Sequence, residues 1–247
     1  MGSTEDYLLK RIKEEGTIHF TLIDPEKFSP RTSARICRES EGAGSAAILI
    51  GGSTISHPNQ VDLTVRAVKR SVKIPLILFP GNISGISQYA DAVLFMSLLN
   101  STNPYFIIGA QALGAPLVKK YRLEAIPLGY IIMGPGGAAG VVGYARPFPF
   151  DQPELAAMHA LAAQYLGMRL IYLEAGSGAS EPIPPKTISL VKKAIDIPLI
   201  VGGGIRTGAD AKKAAEAGAD IIVTGTVVEQ APLVRERLQE IIAGMRG

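Results

Sequence analysis

Cysteine occurs once, at Cys37, and histidine three times, at His19, His57 and His159. A single cysteine excludes an internal disulfide and any cysteine-based metal site, and its setting in a helical pattern makes Cys37 a small packing residue. The histidines have no metal-ligand spacing. His19 packs near the start of the first strand, His57 precedes Pro58 as a loop or cap residue, and His159 lies on a helix. Long apolar runs are absent too. Stretches such as Ala46 to Ile50 are far too short to cross a bilayer, so no transmembrane helix is expected. Basic residues are neither gathered into a run nor interleaved with aromatics, which disfavours nucleic acid as a partner. The net charge of +3 is compatible with phosphorylated substrates and with transient contact at an anionic membrane surface. The start, Met1-Gly-Ser-Thr-Glu-Asp6, is polar and acidic without a secretory pattern, so a cytoplasmic location is expected. No dinucleotide fingerprint or P-loop is found: the run Gly136-Gly-Ala-Ala-Gly140 has neither the strand-to-helix setting nor the Lys-Ser/Thr, and reads as a loop.

What is present is a regular alternation. The chain is 47% apolar and 19% charged, and 247 residues suit one (β/α)8 barrel, 1–247, better than two ordinary domains. After an N-terminal helix over Thr4 to Glu15, short β-branched runs alternate with helical patterns, which argues for a parallel sheet. The expected strands are Ile18 to Ile23, Ala46 to Ile50, Leu76 to Phe79, Ala92 to Met96, Leu128 to Met133, Arg169 to Leu173, Pro198 to Val201 and Asp220 to Thr224. The helices between and after them start near Pro30 and span Val61 to Val72, Pro104 to Lys120, Glu154 to Leu166, Pro185 to Ala194, Ala209 to Ala217 and Pro232 to Met245, with a loop over Gly134 to Pro149. One connection breaks the rhythm. Between strands three and four only Pro80 to Asp91 is available, with breakers at Pro80, Gly81 and Gly85, so the third helix is expected to be missing or replaced. Such a gap leaves apolar barrel surface uncovered, and Phe79, Ile83, Ile86 and Tyr89 sit where a long apolar ligand could lie. The alternative is a loop folded over the gap. A short repeat, Lys73-Ile-Pro-Leu-Ile77 with Asp196-Ile-Pro-Leu-Ile200 and Tyr89-Ala-Asp-Ala92 with Gly218-Ala-Asp-Ile221, suggests two four-strand halves.

The chemistry is expected at the strand ends. Strand six runs into Tyr172-Leu-Glu-Ala-Gly-Ser-Gly178, strand seven into Gly202-Gly-Gly204 and strand eight into Gly225-Thr226, offering backbone N–H groups with no bulky side chains in front. In a closed barrel these ends share one face, where the last loops cradle phosphate. Asp24 ends strand one, and Ser53 with Thr54 ends strand two, on the same face. A carboxylate and a hydroxyl beside a phosphate site suit Mg²⁺; the alternative is that Asp24-Pro25 caps a turn and Ser53 a helix, but their place at two neighbouring barrel mouths, opposite three phosphate-binding loops, favours the metal. Alternation turns Tyr172 and Glu174 to one side, where a glutamate can accept a proton from a substrate hydroxyl that the phenol orients. The alternative for Glu174 is an ion pair with a neighbouring Lys or Arg.

Seven stretches together carry a resemblance. They are His19-Phe-Thr-Leu-Ile-Asp-Pro25, Gly51-Gly-Ser-Thr54, Phe79-Pro-Gly-Asn82, Phe95-Met-Ser-Leu-Leu-Asn-Ser-Thr-Asn-Pro104, Tyr172 to Gly178, Gly202-Gly-Gly-Ile205 and Thr224-Gly-Thr226. Over nearly its whole length the chain resembles the archaeal geranylgeranylglyceryl phosphate synthases. That resemblance implies a barrel with its third helix replaced, joining sn-glycerol 1-phosphate to geranylgeranyl diphosphate with Mg²⁺ to make the first ether bond of archaeal membrane lipids. It implies Asp24 and Ser53 as metal ligands. Tyr172, Leu173, Glu174, Ala175, Gly176, Ser177, Gly178, Gly203, Gly204, Gly225 and Thr226 would hold glycerol 1-phosphate, with Glu174 and Tyr172 catalytic. A homo-oligomer is expected. Leu22 stands where bacterial relatives with a longer donor carry lysine, which places the chain with the archaeal branch. Phe106 and Val141 stand where archaeal relatives often have tryptophan, and Tyr144 where an acid is expected. The alternatives are a related synthase with another donor length, another phosphate-binding barrel such as a sugar-phosphate isomerase or a flavin mononucleotide enzyme, and a non-enzymatic scaffold. A twenty-carbon chain needs an extended apolar channel, expected between Pro80 to Tyr89 and the helix carrying Tyr105, Phe106 and Ile107.

Overall fold

A computed structural model describes residues 2–52, 57–231 and 233–246. Helix α1 (Ser3–Glu15) precedes β1 (Ile18–Ile23), α2 (Pro30–Ala43), β2 (Ala47–Ile50), α3 (Pro58–Lys69) and β3 (Leu76–Leu78). The chain continues through β4 (Ala92–Leu98), α4 (Ala110–Tyr121), β5 (Glu124–Ile132), α5 (Gly137–Val142), α6 (Pro153–Tyr165) and β6 (Leu170–Glu174). It finishes with α7 (Pro185–Ala194), β7 (Leu199–Gly202), α8 (Gly208–Glu216), β8 (Ile221–Thr224), α9 (Thr226–Gln230) and α10 (Val234–Met245). The strands pair in parallel in chain order, and β1 pairs with β8 to close the barrel.

Two-sided burial explains the strands. Alternate residues fill two apolar layers, as strands covered on both faces require. Phe20, Leu49, Leu94, Leu128 and Ile200 fill the barrel interior. Ile48, Leu78, Ile171, Leu173 and Val201 face the helices and pack with Ile36, Val65, Ile188 and Leu238. Helix α1 closes the N-terminal end: Leu8 enters the interior layer, and the N–H groups of Thr4 and Glu5 donate to the Glu124 carboxylate at 2.8 Å each.

The repeat is visible as two equivalent corners. Asp91 Oδ2 accepts the Leu76 N–H at 2.9 Å at the start of β3, and Asp220 Oδ2 accepts the Leu199 N–H at 2.7 Å at the start of β7. Each aspartate also pairs with a lysine of the helix before the strand it caps, Lys69 on α3 and Lys192 on α7. The β3–β4 connection holds only a 3₁₀ turn, Ile83–Gly85, so the third covering helix is replaced.

Several boundaries differ from the sequence reading. Strand β5 begins four residues early, at Glu124, because Glu124–Pro127 pair with Ala92–Phe95; the proline is tolerated and its carbonyl accepts the Arg169 N–H at 3.0 Å. The expected helix Pro104 to Lys120 opens with a π-helical turn, Tyr105–Gly109, before α4. The expected loop after β5 contains α5, and α9 follows β8 unannounced.

His19 sits within a polar cluster inside the wall of β1, β2 and β8. Its Nδ1 lies 2.9 Å from Ser45 Oγ, its Nε2 2.9 Å from Thr224 Oγ1, and Thr21 Oγ1 3.0 Å from Ser45 Oγ. Full burial pushes its pKa down from 6.5 to about 3, so the ring stays neutral. The unfolded chain takes up a proton below pH 6.5 that the folded chain refuses, so this contribution is complete above pH 6.5 and is lost as pH falls towards 3. The loss should steepen towards about 1.4 kcal/mol per pH unit below pH 6.5 and reach about 1.6 kcal/mol between pH 6.5 and 5. Denaturant titrations at the two pH values check this, and His19→Gln should flatten the difference.

Candidate active site

Among the described residues, Asp24, Glu174 and the glycine-rich stretches expected of the site lie at the C-terminal ends of the strands. On one side β6, β7 and β8 end in a small cavity of about 50 Å³ bounded by Glu174, Ser177, Gly203, Gly204, Gly225 and Thr226. The first N–H groups of a helix have no acceptor within it, and the first turn of α9 brings those of Thr226 and Val227 to this wall. Ser177 Oγ and Thr226 Oγ1 face each other at 3.5 Å across the cavity. Gly203 has a φ of 80°, and a Cβ there would lie 2.5 Å from Glu174 Oε1, so only glycine fits between the cradle and the acid. Among the residues named from sequence, Leu173 and Ala175 turn to the helix-facing core. The Ala175 N–H is already spent on the Gly202 carbonyl at 3.1 Å. Their side chains therefore stay clear of the cavity.

Glu174 ends β6 pointing into the barrel and is 6% exposed. Its Oε1 accepts the Gly176 N–H at 2.7 Å. Burial raises its pKa above the ordinary 4.5, while that hydrogen bond and the hydroxyls of Tyr172 and Tyr130 oppose the rise. No basic side chain among the described residues contributes, so the ion-pair alternative is not what the geometry shows. Both phenols are themselves held well above their ordinary pKa by burial and then by Glu174, so they stay protonated. The Tyr172 hydroxyl lowers the carboxyl's pKa as a hydrogen-bonding neighbour, although it meets no partner at full hydrogen-bond geometry among the described residues. Tyr172 is fully buried, stacked on Phe79 at 5.4 Å and edge-on to Tyr130 at 5.2 Å. Sequence reasoning missed Tyr130. It lies opposite Tyr172 in the β5–β6 register, a relation visible only once the strands are paired. It also missed Arg206 in the cradle wall, whose guanidinium donates to the Ala179 carbonyl at 2.9 Å and braces the β6 loop.

On the other side of Glu174 opens a larger cavity of about 260 Å³. Its mouth holds Asp24, Lys27 and Glu229, and its body runs past Phe79 and Tyr130 to Ile83, Ile86 and Val118. It thus occupies the flank left by the missing helix. Phe106 lines it, whereas Tyr105 and Ile107 do not; Ala110, Gly114 and Val118 of α4 take that place.

Asp24 serves its turn and keeps capacity to spare. Its Oδ1 accepts the Glu26 N–H at 2.9 Å, and its carbonyl accepts the Lys27 N–H at 3.2 Å. Partial burial raises its pKa, the Glu26 N–H and Lys27 opposing, which marks a carboxylate short of positive charge. Gly52 keeps one side open, since a Cβ there would lie 2.8 Å from Asp24 Oδ2. No group of three or more His, Cys, Asp or Glu forms a cage among the described residues. Mg²⁺ needs none, because it is held by one or two carboxylates plus phosphate oxygens and water. The donor set at Asp24 fits that ion. Ser53 and Thr54 lie outside the described residues.

A closed parallel barrel with glycine-rich ends on its last three strands, a buried acid and an apolar cavity beside it defines a phosphate-binding (β/α)8 enzyme. The chain belongs to the PcrB family, whose model matches residues 10–245. It is 54% identical over 245 residues to the geranylgeranylglyceryl phosphate synthase of Thermofilum pendens, covering 99% of this chain and 96% of the relative. It is also 54% identical to that of Thermococcus gammatolerans, covering 100% and 98%. The crystal structure of (S)-3-O-geranylgeranylglyceryl phosphate synthase from Thermoplasma acidophilum in complex with its substrate sn-glycerol-1-phosphate superposes with a TM-score of 0.95 at 42% identity, covering 100% of this chain and 99% of the other. A thiamine phosphate pyrophosphorylase from Pyrococcus furiosus, at a TM-score of 0.62 and 14% identity, shares the fold alone. No helix among the described residues is long and apolar enough to cross a membrane.

Proposed function

We propose that this protein joins sn-glycerol 1-phosphate to geranylgeranyl diphosphate, forming the ether geranylgeranylglyceryl phosphate and releasing diphosphate in a Mg²⁺-dependent reaction in the cytoplasm. The observation that carries this reading is the position of Glu174, in the wall of both cavities. A phosphate-sized cradle on one side and an apolar channel on the other put the acceptor hydroxyl and the donor's allylic carbon within reach of one buried acid. A sugar-phosphate isomerase or a flavin enzyme would have no use for an apolar channel of about 260 Å³.

The glycine-rich ends of β7 and β8 hold the acceptor phosphate, and Glu174 takes the proton of the attacking hydroxyl. The Tyr172 and Tyr130 hydroxyls favour the ionised carboxyl, opposing the rise that burial imposes on its pKa. Asp24 would hold Mg²⁺, which when bound supplies positive charge to the departing diphosphate. The apolar channel walls exclude water from the allylic carbon, favouring ether formation over hydrolysis. Incubating purified protein with Mg²⁺, glycerol 1-phosphate and donors of graded length, with product mass as readout, tests this. The twenty-carbon ether should dominate, and absence of any prenylated glycerol phosphate would refute the assignment.

The channel makes a separate expectation. Gly114 faces it, and a Cβ at that position would lie 3.0 Å from Ile86 Cδ1. Gly114→Leu should block the far end and shift preference to shorter donors, each excluded CH₂ forfeiting about 0.8 kcal/mol of burial. Donor competition checks it, and glycerol 1-phosphate affinity should not change. An unaltered donor profile would place the chain elsewhere.

A further inference from the structure

The mouth of the apolar channel is acidic. Asp24 and Glu229 stand there with Glu174 deeper in the wall, and Lys27 is the sole cation lining the channel among the described residues. Its ammonium is held by both carboxylate oxygens of Glu229 at 2.8 Å each, across 202 positions of sequence. The pair joins the β1–α2 turn to α9. The Lys27 side chain is 46% exposed and that of Glu229 18%, so the pair is partly in solvent and contributes little to stability. The turn fixes where the lysine starts, because the Lys27 N–H donates to the Asp24 carbonyl at 3.2 Å. Lys27 is therefore anchored beside the carboxylate that would carry the metal, with its ammonium held on Glu229 in the wall of the same channel.

We propose that Lys27 is a contact for the diphosphate of the prenyl donor, and that Glu229 holds its place until the donor arrives. The inference rests on the reading of the protein as a prenyl diphosphate transferase. An entering diphosphate brings several negative charges up against Asp24 and Glu229, and one divalent ion leaves part of that charge unmet. A flexible ammonium meets such oxygens as a point charge in any orientation, and a charge-assisted bond to diphosphate is stronger than a half-exposed pair with one carboxylate. The ammonium exchanges Glu229 for phosphate oxygens without moving its backbone. Glu229 is thus a competitor for Lys27, and the two residues should affect donor binding in opposite directions.

Calorimetric titration of the full protein with the unreactive geranylgeranyl S-thiolodiphosphate in Mg²⁺ separates the possibilities, with glycerol 1-phosphate titrated alongside. Lys27→Met should weaken analogue binding by roughly tenfold or more. Glu229→Gln, which breaks the same ion pair, should bind the analogue as tightly as the wild type or more tightly. Both variants should bind glycerol 1-phosphate normally, which also shows that they fold. Equal weakening in the two variants would make the pair a structural tie and overturn the inference, as would unchanged binding in Lys27→Met. Failure of the wild type itself to bind the analogue would instead defeat the functional reading on which the inference stands.

Discussion

Replacing Asp24 by alanine should lower coupling by roughly 10³-fold or more, the scale of several kcal/mol of charge stabilisation at the leaving group. The carboxylate is partly buried, short of positive charge, and opens on the side where Gly52 leaves space. Glycerol 1-phosphate should still bind with nearly its normal affinity, because the cradle is built from β6, β7 and β8 on the other side of Glu174. The same substitution removes the acceptor of the Glu26 N–H, so Asp24→Asn is the better probe, keeping an oxygen for the turn while lacking the charge. Steady-state coupling with parallel calorimetry of the acceptor checks both. Equal loss of coupling and of acceptor binding would contradict this division of labour.

Glu174→Gln should lower turnover by about 10² to 10⁴-fold, the usual worth of a general base, with little change in either affinity. The glutamine oxygen can still accept the Gly176 N–H, so the loop after β6 should keep its shape. In the unaltered protein the acid limb of kcat/KM should lie above pH 4.5, because burial raises the pKa of the carboxyl that must be ionised to act. Activity is present above that limb and lost below it. The limb should vanish in Glu174→Gln. A rate like that of the wild type would remove Glu174 from the chemistry.

The strands were legible because each is buried on both faces, so runs such as Ala47–Ile50 contain no polar residue to confuse them. The missing helix was legible from length and breakers alone. Alternation placed Tyr172 and Glu174 together inside the barrel. Helix α5 was not legible: Gly137 and Gly140 argue against a helix, and at 6 residues it is too short to show a period. Helix α9 is too short, at 5 residues, to show a period. Tyr130 was hidden in an apolar strand, since its relation to Glu174 depends on how β5 pairs with β6. Lys27 and Glu229 lie at opposite ends of the sequence and meet only because β1 and β8 close the barrel. What sequence conveys poorly here is contact across the barrel mouth.

The central claim is that Glu174 stands between an acceptor hydroxyl and an allylic carbon and that the oxygen of the acceptor forms the new bond. Glycerol 1-phosphate labelled with ¹⁸O at its primary hydroxyl tests this in one turnover with geranylgeranyl diphosphate. Attack by that hydroxyl breaks the allylic carbon–oxygen bond to diphosphate, so the account predicts that the label is retained in the ether and absent from the released diphosphate. An unlabelled ether oxygen, or label found in the diphosphate, would contradict it.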